Sequence, residues 1–213
     1  MAPAIINGYP MAPGSNLFGA DLRGQYMGYV NLQGSDMRAA YFSGANFEGA
    51  NLRSCDLRAS FLRLAYLQKA NLRDAVMLNC DLTQADFTEA YMRGADMRGQ
   101  VITGTIFTRA NLTAAFYIGT TLSGLNFEKA NLFRAEFNGV VASTTIFREA
   151  NLRLAQFPGA DVRGCDFRGA DLRGADFAGA DVRGCDFTDT DRTGGSYAGA
   201  VTTGADFTGS IPP

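Results

Sequence analysis

The chain has 213 residues, of which 46% are apolar, and a net charge of −2, a composition that excludes an intrinsically disordered protein. It contains no apolar run of about 18 residues, so we predict no transmembrane segment. Lys69 and Lys129 are its only lysines and acidic residues outnumber basic ones, which disfavours nucleic acid as a partner.

The first segment, residues 1–14, carries no repeat and contains Pro3, Pro10 and Pro13. We interpret it as an N-terminal tail or cap. It has neither a basic start nor a continuous apolar run, so we predict no signal peptide. A mature chain whose targeting segment has been removed would look the same, which leaves an organelle lumen open beside the cytoplasm.

From Leu17 to Phe207 a large apolar residue recurs at every fifth position, which we call the centre of a pentad. The 39 centres are all large and apolar except Ala142, Arg192 and Thr202. The residue two before the centre is small, with Ala at 22 of 39 positions, and Gly lies two after the centre at 21 of them. A repeat of this regularity must be recognised first, because it decides the fold.

The period of five residues fits neither an α-helix nor a simple alternating strand. Two inward residues, one small and one large, with polar or Gly residues between them, predict a coil that bends in every pentad. Gly near the bend, as at Gly24, Gly94 and Gly164, permits a positive φ. Asp or Asn before the centre can bind the backbone of its own turn.

A second period, of 20 residues, links pentads that lie far apart in the sequence. Phe occupies most centres of one such column, at Phe47, Phe87, Phe107, Phe127, Phe147, Phe167, Phe187 and Phe207. A ladder of Asn precedes a neighbouring Leu column, at Asn31, Asn51, Asn71, Asn111, Asn131 and Asn151. We therefore predict that four pentads form one turn and that like residues stack between turns.

Two recurring segments resemble the pentapeptide-repeat family: Ala-Asn-Leu-Arg at 50–53, 70–73 and 150–153, and Ala-Asp-Leu-Arg-Gly at 20–24 and 170–174. The resemblance implies the fold of that family, an all-β, right-handed quadrilateral β-helix, here a solenoid of about ten coils of four pentads. It implies no particular activity, because one fold supports many functions.

The predicted solenoid is a single domain over residues 15–210, because neighbouring coils share one core. Residues 211–213 form a C-terminal tail.

Gln25 and Gln100 replace small inward residues, and buried amides need hydrogen-bond partners. Arg192 at a centre weakens the core of the last coils. We therefore predict that an end of the solenoid is covered by a tail, a second copy or another protein.

The sequence contains no recognisable catalytic constellation. It has no His, the commonest general base and metal ligand. Asp recurs as a turn residue flanked by Arg, whereas paired catalytic carboxylates require one group in an apolar pocket. We therefore predict no enzyme, no cofactor and no metal site.

Cys55, Cys80, Cys165 and Cys185 all occupy the small inward position, where a buried Cys acts as a small hydrophobic residue in place of Ala. Cys165 and Cys185 should stack on each other because they are 20 residues apart. That spacing admits a strained disulfide, but parallel Cβ vectors argue against one. Reduced thiols favour a cytoplasmic location.

The outward position before the centre is apolar or aromatic in many of the earlier pentads. The residues that we assign to a predicted partner-binding surface are Tyr26, Tyr41, Phe61, Tyr66, Tyr91, Val101, Ile106, Phe116, Val141 and Ile146. Most fall in two adjacent columns, which return largely to Asp from Asp161 onward. Exposed apolar patches mark interaction sites and Tyr is enriched at interfaces. The alternative is that β-forming residues merely suit a strand surface.

These features support two hypotheses. The first is a rigid, non-enzymatic scaffold or complex subunit that binds a protein through these faces. The second comes from family members that resemble duplex DNA and bind DNA gyrase, some of which give quinolone resistance. A DNA mimic of about 48 Å in length would have to match roughly 28 phosphate charges of duplex DNA. This chain has 21 acidic residues offset by 19 basic ones, so its charge disfavours the second hypothesis.

The resemblance also bears on setting and assembly. The family is common in cyanobacteria, and some members reside in the thylakoid lumen of plants, so the resemblance allows association with a photosynthetic complex. The partners that we expect are a protein bound through the apolar faces or a second copy at a solenoid end.

Overall fold

A computed structural model describes residues 2–98 and 100–213, so that Met1 of the predicted tail lies outside the described residues. Strands β1 (Ala4–Ile6) and β2 (Tyr9–Met11) pair antiparallel. They are joined by Asn7 and Gly8, whose φ values of 50° and 83° fit the two-residue hairpin turn that favours Asn-Gly. No helix occurs in the described part of the chain, and so none that could cross a membrane.

The remainder of the chain winds into stacked coils held by isolated parallel bridges, from Asn16↔Asp36 to Asp191↔Ile211. Every bridge joins residues 20 apart, as the second period of the sequence predicts. The bridges do not lengthen into longer strands because each pentad has only one bridged residue, the outward residue before the centre, which we call the ladder residue. The chain turns directly after the centre. The structure is therefore all-β but consists mainly of bridges and turns.

The pentad of residues 41–45 shows how the backbone of each coil is satisfied. The Tyr41 amide donates to Ala20 O of the preceding coil (2.8 Å), and the amides of Phe42 and Gly44 donate to the following coil at 2.8 and 2.9 Å. The Ala45 amide closes the turn on Phe42 O at 2.9 Å. Every N–H of this pentad except that of Ser43 is therefore hydrogen-bonded. The backbone is satisfied in this way without a helix or a broad sheet.

The residue two after the centre adopts a left-handed conformation in each turn that the structure describes. Gly44 has φ 68° there, as the sequence predicts for Gly, but Leu64 and Lys69 adopt φ 59° at the equivalent position. For a residue with a Cβ, the left-handed region costs roughly 1–2 kcal/mol of conformational energy. The turn bond and the bond to the next coil impose the conformation, so the pentad tolerates side chains where Gly is absent.

The interior consists of centre residues stacked in columns. The ring of Phe147 stacks on Phe127 and Phe167, with centroids 5.3 and 5.0 Å apart, and meets Phe137 and Phe157 edge to face at 5.9 and 6.0 Å. All five rings are fully buried. Offset stacks and edge-to-face pairs add to the hydrophobic gain of burial, so two adjoining aromatic columns form the firmest part of the core.

Small polar residues at the inward corner donate to carbonyls of the preceding coil. Cys165 Sγ donates to Ala142 O at 2.7 Å, and Thr145 Oγ1 donates to Leu122 O at 2.7 Å. Cys55 Sγ makes the same bond to Leu32 O, and burial raises the pKa of its thiol to about 11. All four cysteines are free and buried, so each fills an inward site that Ala occupies in other pentads.

The two Gln residues behave differently. Gln100 is buried, and its Oε1 accepts the Cys80 amide at 2.7 Å, but its Nε2 has no partner among the described residues. Gln25 is only half-buried and donates to Arg23 O at 3.4 Å. Gln100 is therefore costly to the core, whereas Gln25 reaches the surface of the coil.

The two ends of the solenoid differ. At the N-terminal end the hairpin packs on the first coil, with Met11 buried and Ile6 and Tyr9 against the core. In the last coil Arg192 is half-buried, with its guanidinium 4.3 Å from the centroid of the Phe207 ring. The core thus weakens toward the C-terminal end, where Phe207 is only half-buried.

Truncating the centre of the aromatic columns should cost far more than truncating their end. We expect Phe147→Ala to lower the free energy of unfolding by about 3–5 kcal/mol, because it opens a cavity between four rings. Phe207→Ala, the matched change in the same column, should cost less than about 2 kcal/mol because its ring is half-exposed. Urea unfolding followed by circular dichroism measures both, and equal losses would contradict this description of the core.

Candidate functional site

The outward residues of one pentad column lie directly above one another. Tyr41 bridges Phe61, and their rings stack at 5.0 Å with an interplanar angle of 5°. These side chains are 44% and 41% exposed. Since the backbone groups of a ladder residue bond to neighbouring coils, its side chain points away from the core, and the pair forms a flat aromatic ledge.

The structure places the predicted surface residues on all four sides of the rod. Following the chain, we call the faces that begin with Asp21, Tyr26, Asn31 and Asn16 the first, second, third and fourth. The first face contains Tyr41, Phe61, Val101 and Val141; the second contains Tyr26, Tyr66, Ile106 and Ile146. Tyr91 lies on the third face and Phe116 on the fourth, apart from the others. All are exposed except Ile146, which is half-buried.

A groove opens on the first face where a short residue separates two large ones. Asp81 lies between Phe61 and Val101 in the column, and the gap above it has a volume of about 370 Å³. Asn79 and Ala59 line its edge. The groove is wide enough for an apolar side chain of a partner and lies next to the aromatic ledge.

A second groove, of about 430 Å³, lies on the second face beside Tyr66. Its walls include Glu48, Lys69 and Glu89, so charges of both signs surround one aromatic ring. Gln68 Nε2 donates to Asp86 Oδ2 at 2.7 Å along the same face. This mixture of an apolar floor and polar rim resembles the anatomy of protein interfaces.

A third groove, of about 480 Å³, crosses the third face at Tyr91. Asn71 and Asn111 flank Tyr91 along the column, and Lys69, Arg73 and Arg93 stand at its two edges. Lys69 also lines the second groove. The three grooves therefore occupy adjacent faces of the same stretch of coils, roughly residues 46–111, which also contains Phe61, Tyr66 and Tyr91.

Sequence reasoning missed exposed apolar residues on the turns, namely Phe18, Tyr29, Leu64, Ile118 and Leu154. Tyr29 occupies the usual Gly position of its turn, and its ring covers Gly49 one coil later, where a Cβ would lie 2.5 Å from the ring. Leu154 covers Gly174 in the same way. A large residue followed 20 positions later by Gly is the sequence signal that identifies these contacts.

Eight outward Asp residues pair with an Arg of their own turn, namely Asp21, Asp36, Asp56, Asp96, Asp161, Asp166, Asp171 and Asp181. Arg163 donates to Asp161 through Nε at 2.8 Å and Nη2 at 2.7 Å, and the Arg163 Nε also lies 3.8 Å from Asp181 Oδ2 one coil later. The hydrogen bonds from Arg163 lower the pKa of Asp161, against an opposing effect of desolvation. Asp-Arg pairs of this kind recur through the late coils, so the Asp columns form a ladder of mixed charge.

The chemistry of the grooves is that of exposed polar, charged and aromatic side chains. Among residues 2–98 and 100–213, no group of three or more Cys, Asp or Glu converges as a metal site would require. The buried thiol of Cys80, beside the first-face groove, has its pKa raised to about 11 by desolvation, which makes it a poor nucleophile. What the grooves offer is exposed rings, amides and charges on a rigid frame.

Comparison with known sequences identifies the repeat. A family model described as pentapeptide repeats matches eight copies, in the ranges 15–58, 45–77, 60–99, 80–116, 105–149 and 150–189. No curated protein matches the sequence at a significant level. The family match thus spans most of the chain without selecting a characterised relative.

Several solved structures are similar to the chain. HetL, a pentapeptide repeat protein involved in heterocyst differentiation regulation from the cyanobacterium Nostoc sp. strain PCC 7120, is 23% identical, with 93% of this chain and 89% of HetL covered and a TM-score of 0.43. QnrB1, a plasmid-mediated fluoroquinolone resistance protein, is 20% identical, with 89% and 90% covered and a TM-score of 0.40. The family match, rather than these low TM-scores, identifies the repeat.

A pentapeptide repeat protein from the Arabidopsis thaliana thylakoid lumen is 30% identical over a shorter alignment. That alignment covers 47% of this chain and 66% of the plant protein, with a TM-score of 0.29. The similarity therefore concerns about half of the rod.

The Asp-Arg ladder predicts an acid-sensitive rod. Because the pKa of Asp161 is lower in the folded state than in the unfolded state, its contribution to stability is present above the unfolded pKa and lost as the pH falls through the folded pKa. We expect the urea concentration at the unfolding midpoint to decrease as the pH is lowered from about 5 to about 2. The Asp161→Asn variant should show a smaller decrease. Asp81→Asn is the matched control, since Thr83 replaces the Arg of its turn. A larger effect at Asp81 would contradict the assignment.

Proposed function

The chain belongs to the pentapeptide-repeat family, and we propose that it is a rigid, non-enzymatic scaffold that binds a protein partner through its outward aromatic and apolar side chains. The proposed rod has about ten coils and a length of about 48 Å, from a spacing of about 4.8 Å between coils. The proposed contact surface comprises the first and second faces, with Tyr91 and Phe116 extending it to the other two.

One observation carries this proposal: exposed apolar residues occupy ladder columns that accept Asp elsewhere. The column of Tyr41 and Phe61 also contains Asp81, Asp161 and Asp181, all at equivalent bridge positions. The fold therefore does not require an apolar residue in this column. The alternative, that β-formers merely suit the strand surface, does not explain why the exposed rings collect in the earlier coils.

Rigidity supports the same function. Since four of the five backbone amides of the pentad 41–45 are hydrogen-bonded, three of them to neighbouring coils, the surface is preorganised before a partner arrives. A preorganised surface loses little conformational entropy on association. The stacked ledge of Tyr41 and Phe61 is an anchor of this kind, because aromatic side chains contribute much of the binding energy at interfaces.

A second mode of association is self-association at the C-terminal end of the rod. The last coil leaves Phe207 and Tyr197 half-buried, and the buried Arg192 Nε and Tyr197 hydroxyl have no partner within the described residues. A second copy placed against this coil would cover apolar surface and supply hydrogen-bond partners. Sedimentation of the intact protein over a range of concentrations tests it.

The DNA-mimic alternative conflicts with the charge distribution. A mimic needs an uninterrupted negative stripe, whereas Arg163, Arg168 and Arg173 each bind an Asp of their own turn and approach the Asp one coil later. The similarity to QnrB1 concerns the fold. We expect the purified protein to leave the supercoiling activity of DNA gyrase unchanged, and protection of gyrase from a quinolone would overturn the scaffold proposal.

The thiols favour a reducing compartment such as the cytoplasm. Cys55, Cys80, Cys165 and Cys185 each donate a hydrogen bond to a backbone carbonyl, which requires the protonated, reduced form. Disulfides persist mainly in oxidising compartments. We therefore favour the cytoplasm over an organelle lumen.

Introducing charge into the ledge should abolish partner binding without unfolding the rod. We expect the triple variant Tyr41→Asp, Phe61→Asp and Tyr66→Asp to remain folded, because Asp occupies equivalent positions in the same columns. It should lose the protein that wild type captures in a cross-linking pull-down from source cells. Capture of a photosynthetic-complex subunit would identify the setting.

The matched control is Phe18→Asp, Ile118→Asp and Leu154→Asp, which adds the same charge at exposed apolar turn residues outside the proposed surface. The control should retain the partner. Loss of the partner by both variants, or by neither, would contradict the proposed surface.

A further inference from the structure

The third face carries a break in its amide ladder at Tyr91. Elsewhere on this face Asn51 Nδ2 donates to Asn31 Oδ1 at 2.9 Å, and Asn151 Nδ2 donates to Asn131 Oδ1 at 3.0 Å. Tyr91 replaces the Asn between Asn71 and Asn111. Asn111 Nδ2 therefore lacks the Asn acceptor one coil earlier that Asn51 and Asn151 use, and Asn71 Nδ2 makes no hydrogen bond to Asn51 among the described residues.

The amides beside Tyr91 present donors rather than acceptors. Asn71 Oδ1 accepts the Arg73 amide at 3.2 Å, and Asn111 Oδ1 accepts both the amide of Thr113 at 3.2 Å and its hydroxyl at 2.8 Å. Their Nδ2 groups make no hydrogen bond within the part of the chain that the structure describes. The floor of this groove thus offers N–H groups to a ligand.

Two of the three cations of the groove, Lys69 and Arg93, have no carboxylate partner among the described residues, whereas Arg73 pairs with Asp74. Eight arginines are bound by an Asp two residues earlier, but that position is Asn71 for Arg73 and Tyr91 for Arg93. Over residues 2–98 and 100–213, Lys69 and Arg93 form no ion pair within 4.0 Å, and the nearest carboxylate oxygen to Arg73 is that of Asp74 at 3.4 Å.

No acidic residue lines this groove. Three cations, two amides and one phenol therefore face a volume of about 480 Å³ on a chain whose overall charge is −2. Such local complementarity steers association and selects partners by charge.

We propose that the groove around Tyr91 binds the carboxylates of an acidic peptide segment of the protein partner. Lys69 at one edge and Arg93 at the other would pair with carboxylates, the free amides would donate to them, and the exposed Tyr91 ring would support the aliphatic part of the segment. The inference rests on the proposed scaffold function and specifies the chemistry of its partner as acidic.

The test uses a rhodamine-labelled peptide of six Glu residues as the probe, followed by fluorescence anisotropy with the intact protein at low ionic strength. The groove variant is Lys69→Gln with Arg93→Gln. The chain supplies a matched control, Lys129→Gln with Arg153→Gln, which removes the same charge from the same two columns three coils later. There the Asn131–Asn151 ladder is unbroken.

We expect the groove variant to bind the hexaglutamate peptide about tenfold more weakly than wild type, which corresponds to losing two exposed charge pairs. The control should stay within about twofold, and added salt should weaken wild-type binding. Circular dichroism and thermal unfolding verify that both variants are folded.

Three results would overturn the inference. Equal weakening by the two variants would show that the peptide responds only to overall charge. Failure of wild type to bind the peptide would show that the groove takes no acidic segment. Displacement of the peptide by inorganic phosphate, at concentrations at which acetate has no effect, would assign the groove to a small phosphate instead.

The failure of this inference differs from the failure of the proposed function. If the pull-down identifies a partner through the ledge while the peptide does not bind, the scaffold stands and its partner is not recognised by acidity. If the peptide binds selectively but wild type and the aspartate triple variant capture the same proteins, the assignment of the cationic groove to an acidic segment stands and the apolar surface fails.

Discussion

The hydrogen bond between coils is the constraint on which the rest of the structure depends. The N–H of the outward residue bonds to a carbonyl of the preceding coil. The N–H groups of the centre and of the residue two after it bond to carbonyls of the following coil, so the register is fixed at 20 residues over the whole rod. This register brings Phe onto Phe inside and Asn onto Asn outside. It also explains why pentads with Leu64 or Lys69 at a left-handed position remain in the fold, since the ladder holds them there.

The same register divides the roles of core and surface. Inward residues are confined to a small corner and a large centre, and the few exceptions, such as Gln100 and Tyr117, leave buried polar atoms unpaired among the described residues. Outward residues are free to vary, because Tyr41 and Asp161 occupy equivalent sites of one column. Outward side chains can therefore be varied to change binding specificity without disturbing the core, which is the physical basis of a scaffold.

Much of this fold could be predicted from the sequence, because the two periods identify centres, corners and columns. The hairpin over the first coil was not predicted, although Asn7-Gly8 between apolar residues is a recognised turn signal. The ledge of Tyr41 and Phe61 follows from their 20-residue spacing. The groove at Tyr91 does not, because Arg93 looks like any other Arg of the repeat. Arg93 lacks an Asp two residues earlier, as Arg53 and Arg153 also do, and the importance of that absence appears only once the structure shows Arg and Asp pairing within a turn.

The central claim is that the exposed rings of the first and second faces contact a partner. Hydroxyl-radical footprinting of the protein in source-cell extract and in buffer, normalised for scavenging, measures the accessibility of each ring directly. The account predicts reduced oxidation of Tyr41, Phe61 and Tyr66 in extract, with Phe18, Ile118 and Leu154 unchanged. Equal oxidation of the ledge in both samples, or protection confined to the turn residues, would contradict it.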